Sequence, residues 1–170
     1  MNRISVKAIL AVVVATTLLS TACGVDEPED GGSVEPTITL ADAARKVDDY
    51  AEQARAALNP QAKFVNPYKN YDFPCSNADG SPSPDRRDAR VSYQLEGVTP
   101  EQVPAYFQNM RSLLEKIGFT VTDDQKGEFL GAKNNVDGFT MGLQANNVGE
   151  VHLKVSSPCV WRDGTPKPGN

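Results

Sequence analysis

The chain has 170 residues, with 17 Lys plus Arg against 22 Asp plus Glu, a formal charge of -5, one His and three Cys. That is room for one ordinary domain, and the acid excess argues against nucleic acid as a partner. One histidine excludes two-histidine zinc sites, and three cysteines exclude iron–sulfur and cysteine-rich metal modules, so no cofactor or metal is expected.

Arg3 and Lys7 precede the uncharged run from Ala8 to Val25, whose apolar part, Ala8 to Leu19, ends in Ser20-Thr21-Ala22-Cys23. A membrane span needs roughly 20 apolar residues, so residues 1–22 are expected to be a signal peptide. Leu19-Ser20-Thr21-Ala22-Cys23-Gly24 resembles the lipobox of bacterial lipoproteins, with Ser20 in place of the usual Leu. The resemblance implies that Cys23 is the lipidated mature N-terminus, palmitate included. The protein would then sit on the extracellular face of the cytoplasmic membrane, held by its lipid. Residues 23–36 carry Asp26, Glu27, Glu29, Asp30 and Glu35, no basic residue and Gly31-Gly32. They are expected to form a flexible acidic tether spanning roughly 20 Å.

A single α+β domain is expected over residues 37–163, followed by a disordered tail, 164–170. Thr39 caps a helix that Asn59-Pro60 closes, with Leu40, Ala44, Val47, Ala51, Ala54 and Leu58 drawing one apolar stripe. From Gln61 to Arg90 the periodicity disappears among Pro67, Pro74, Pro82 and Pro84, which predicts a long loop. Val91, Tyr93 and Leu95 then alternate with polar residues as a strand ending at Gly97. Thr99-Pro100-Glu101-Gln102 opens a second helix, although Pro104 favours a regular start nearer that residue, and Gly118 ends it in the left-handed conformation.

Four strands follow, 119–122, 128–133, 139–145 and 150–155, joined by turn-forming segments. The expected fold is a mainly antiparallel sheet of about five strands with two helices on one face, a two-layer sandwich. Its other face would present Ser92, Gln94, Thr120, Thr122, Thr140, Gln144, His152 and Lys154, interrupted by Gly142.

With Cys23 lipidated, Cys75 and Cys159 remain, an even count in an oxidising compartment, and are expected to be bonded. The lipobox, the acidic tether, Phe73-Pro74-Cys75, Asp137-Gly138-Phe139 and the ending Ser156-Ser157-Pro158-Cys159-Val160-Trp161 together resemble small cell-surface lipoproteins of actinobacteria without an established function. The resemblance implies an extracytoplasmic location and supports the Cys75–Cys159 pairing. It brings no catalytic residues.

Enzyme templates find little purchase. His152 lies in an ordinary amphipathic strand pattern, no nucleophile elbow is present, and the adjacent acids Asp123-Asp124 are expected to project from a turn instead of converging on a cation. Tyr68, Tyr71, Phe73 and Trp161, with Arg162, form a candidate binding surface near the disulfide, since aromatic and arginine side chains are enriched in contact patches. The functional expectation is a monomeric, lipid-anchored binding or interaction module of the cell envelope, without catalysis, whose partner is an envelope protein or glycan. An envelope enzyme acting on a glycan or peptide, or a purely structural lipoprotein, is the alternative.

Overall fold

The computed structural model describes residues 37–59, 61 and 63–167. The signal peptide, Cys23, the acidic tether and the last three residues lie outside them. The chain forms helix α1 (Leu40–Leu58), strands β1 (Lys63–Ser76) and β2 (Pro82–Glu96), helix α2 (Val103–Lys116), and strands β3 (Phe119–Gln125), β4 (Phe129–Asn134), β5 (Thr140–Ala145), β6 (Val151–Ser156) and β7 (Val160–Trp161). The fold is α+β with two helices, as expected. The sheet is larger than expected, with seven strands in place of about five, in the order β1-β2-β6-β5-β4-β3, and β7 pairs with β2.

Of the two added strands, β7 follows the disulfide, and β1, with the first half of β2, comes from the segment expected to be a long loop. Residues 63–96 are a two-stranded antiparallel ribbon turning at Asn77–Gly80, where Asn77 N–H donates to Ser81 O. Three irregularities interrupt its register, two of them in β1 at Val65/Tyr68 and Asn70/Phe73. Asn66 adopts a positive φ of 48°. These bulges break the period of two, which is why no alternation was visible. Pro67 and Pro74 are tolerated because β1 is an edge strand whose outer N–H groups need no ladder partner.

Elsewhere local chemistry acts as expected. Thr39 caps α1, its hydroxyl accepting from Asp42 N–H at 3.1 Å. α2 starts at Val103 with Pro104 in its first turn, where a missing N–H costs nothing. The Thr99–Gln102 segment forms a turn ahead of it, in which Thr99 N–H donates to the Gln102 side chain at 2.9 Å. Gly118 takes φ +80° after the helix.

One core forms between the helices and the sheet. Val47, Ala51, Ala54, Phe107, Met110 and Leu114 of the helices join Val91, Met141, Leu143, Val151, Leu153 and Val155 of the strands in a single cluster, nearly all fully buried. Charged groups on this side are partnered. Asp48 of α1 accepts from Tyr71 at 2.7 Å and pairs with Lys69 at 2.9 Å, pinning the edge strand β1. Arg111 of α2 pairs with Asp124 at 2.6 Å. Asp137, in the β4–β5 turn, accepts from Tyr50 and pairs with Lys46, each at 2.7 Å.

The Cys75–Cys159 disulfide is present and closes a separation of 84 residues. The segment before α1 and the one after β7 meet beside it: Thr37 N–H donates to Gly164 O at 2.8 Å, and Trp161 N–H donates to the Thr37 hydroxyl at 2.9 Å.

Candidate functional site

The residues expected to form an aromatic surface do not share one. Tyr71 turns to the helix side, packed on the core with its hydroxyl on Asp48. Trp161 pairs with Arg86 across β7 and β2, and both are buried, Trp161 to 7% exposure. Arg162 pairs with Asp72 at 2.9 Å, and Arg87 joins the same carboxylate at 2.9 Å. Phe73 sits opposite Asp88, with the Arg90 guanidinium 3.7 Å above its ring and gripping Asp88 through two bonds of 2.6 Å. Of the four aromatic residues only Tyr68 is exposed, at 54%, and Arg162 is exposed as well.

Asp88 is buried beside the bridge, and its carboxylate and the two sulfurs lie within 4.8 Å of one another. Both sulfurs are committed to the disulfide, so this group is not a ligand set for a metal.

The other surface is the sheet face that the helices leave uncovered, and strand register defines it row by row. Directly paired residues share a face, so the pairings Tyr68–Ser92, Ser92–Lys154, Lys154–Gly142, Gly142–Gly131 and Gly131–Asp123 trace one continuous row across six strands. Two facing glycines occupy its middle. One flanking row carries Gln94, His152, Gln144, Phe129 and Gln125, and the other Arg90, Ser156, Thr140, Lys133 and Thr120.

Removing two side chains from the central row leaves a groove of about 290 Å³. Its floor is the Gly131 and Gly142 backbone. Phe129 forms one side, and Thr122, Thr140, Ser156 and Lys154 supply polar groups around it. The glycines also answer to Phe129. A Cβ on Gly131 would lie 2.9 Å from the ring's Cε1, whereas one on Gly142 would lie 3.4 Å from Cε2 and 3.5 Å from Leu130 O. The ring covers Gly131 and leans over Gly142, the arrangement in which an aromatic side chain compensates for glycine in a strand.

The groove is electrically uneven. Lys154 lines it and donates to Gln144 at 2.9 Å, and Asp123, beyond Gly131 in the same register row, accepts from Gln125 at 3.3 Å, but among the described residues neither forms a salt bridge. Asp123 and Asp124 occupy a strand, where a turn was expected. Consecutive strand positions face opposite ways, so Asp124 reaches Arg111 on the helix side while Asp123 faces Gly131. His152 stands 4.0 Å from Glu150 in the next row, both partly exposed.

Thr122, Thr140, Gly142 and Lys154 were legible as members of this face, whereas Phe129, Gly131 and Asp123 were not assigned to it. Their signal was present: Phe129, Gly131 and Lys133 alternate against Leu130 and Ala132, which are buried. What the sequence could not show is that Gly131 pairs with Gly142.

Comparison of the chain with family models, with curated proteins and with solved structures finds no match.

Proposed function

We propose that this chain is a lipid-anchored binding module of the bacterial cell envelope, held by Cys23 at the outer surface of the cytoplasmic membrane, that takes its partner on the open sheet face. The Ala22-Cys23 sequence supports the anchor, and the Cys75–Cys159 bridge is in keeping with an oxidising compartment. The observation that carries the binding role is the groove over the paired glycines, a recess with an aromatic side and hydroxyl and amine groups around it.

The place where the domain begins supports this orientation. Thr37 is bonded at the disulfide end, so a lipid on Cys23, fourteen residues upstream, holds that end toward the bilayer and leaves the mid-sheet groove accessible. The aromatic residues near the disulfide suit this role less well, because Trp161 and Tyr71 direct most of their surface inward.

The test is recovery of crosslinked partner from native envelope by the full-length protein, with glycan and protein fractions analysed separately. Gly142→Ala adds one methyl group to the groove floor with ordinary to slightly tight contacts. It is expected to cut recovery by about fivefold or more, corresponding to about 1 kcal/mol of binding energy, while thermal unfolding stays close to wild type. Equal recovery from the folded variant would overturn the groove as the site. Cys23→Ser is expected to move the protein out of the membrane fraction, and its retention there would overturn the anchor.

A further inference from the structure

We infer that the groove's ligand is a short dipolar peptide lying across the strands, its carboxylate end at Lys154 and its ammonium end at Asp123. The inference rests on the reading of the open face as a binding surface and adds the chemistry of the occupant.

Three observations lead to it. First, Lys154, Gly142, Gly131 and Asp123 lie in one register row, so the charges stand at opposite ends of the glycine floor. Three strand spacings separate them, about 14 Å, and four extended residues at about 3.3 Å each span that distance. Second, Lys154 and Asp123 are of opposite sign and, like Lys133 in the flanking row, have no salt-bridge partner among the described residues. A ligand bearing both signs would satisfy both at once. A neutral glycan would hydrogen-bond these groups without neutralising either charge, and a polyanionic one would meet Asp123 unfavourably. Third, Phe129 fills the space over Gly131 and leaves its ring as an apolar side beside Gly142, against which a short peptide can lie. The hydroxyls of Thr140 and Ser156 and the amide of Gln144 stand alongside to meet peptide groups.

Full-length protein in detergent would be titrated by calorimetry with tetra-alanine having free termini, with its N-acetylated and C-amidated forms, and with the neutral glycan chitotetraose. Free tetra-alanine is expected to bind, and capping either end to weaken it about three- to fivefold, the range of exposed charge pairs. The diagnostic is which variant cancels which cap. Lys154→Gln should remove the penalty of C-amidation but leave that of N-acetylation, and Asp123→Asn should do the reverse. Both positions are exposed, so the variants are expected to fold, as unchanged thermal unfolding would show.

Equal binding of capped and free peptides would overturn the inference, as would tighter binding of chitotetraose or no binding of free tetra-alanine at about 10 mM, a very weak limit. In these cases, if crosslinked recovery still depends on Gly142, the dipolar peptide is wrong and the open-face reading stands. If recovery is also indifferent to Gly142, both fail.

Discussion

The two faces of the sheet are made from alternate residues of the same strands yet differ in the charge they leave unpartnered. On the helix side, every second residue of β5 and β6 is apolar and buried, and ionised groups around the core are partnered by residues from another element. On the open side, Lys154 and Asp123 stand without a salt bridge at the ends of a glycine row. An ion near a low-dielectric core is costly unless paired, whereas an ion facing water is not, so the covered face is under a constraint that the open face escapes. Freedom from that constraint lets the open face keep unpaired charge and a recess for another use.

The comparison can be broken most severely by truncation on the covered face. Leu153→Ala removes a fully buried side chain and is expected to cost about 2–5 kcal/mol in denaturant unfolding, whereas Lys154→Gln, its neighbour on the other face, should shift stability by no more than about 0.5 kcal/mol. Similar losses from both would mean that the faces do not divide labour in this way.

A second effect concerns the disulfide end of the sheet. Cys75 is 2% exposed and, like Trp161, is buried outside the main apolar cluster, so the bridge supports a patch at the margin of the core. The paired substitution Cys75→Ser with Cys159→Ser is expected to destabilise by about 2–4 kcal/mol, the range typical of a bridge. A change below about 0.5 kcal/mol in urea unfolding would show that the surrounding contacts hold the patch unaided.

The smallest effect sharpens the statement about partnered charge. Burial works against ionisation of Asp137, but bonds from Lys46, Tyr50 and Phe139 N–H outweigh it and hold the carboxyl below its ordinary value. A depressed folded value contributes stability that is present above the unfolded value, about 3.9, and is lost as pH falls through the folded one. Asp137→Asn should therefore cost about 1 kcal/mol near neutrality. Its difference from wild type should shrink as pH drops below about 4, followed by urea midpoints across an acid series. A difference independent of pH would remove the ionised carboxylate from the account.

The sequence by itself determined the elements whose signals are local. α1 follows from Thr39 at its cap and an apolar stripe at helical spacing, and the end of α2 from Gly118. β5 and β6 follow from strict alternation, because each backbone segment buries one face without help from bulges. The pairing of Cys75 with Cys159 was legible on the expectation that Cys23 carries a lipid, since the two cysteines then left allow one bridge.

Tertiary structure decided the rest. The ribbon from 63 to 96 is held by pairing between strands, and its prolines, bulges and run of charges in 85–90 hide a strand from any reading that looks for alternation. The separation of Tyr71 and Trp161 from Tyr68 depends on which side of a bulged strand each residue emerges, a displacement that one extra residue reverses. The groove is the clearest case. Phe129, Gly131 and Asp123 are ordinary along the chain; Gly131 and Asp123 become a row with Gly142 and Lys154, with Phe129 in the row beside them, only because four strands align in one register, which is a property of the paired sheet and of no single segment.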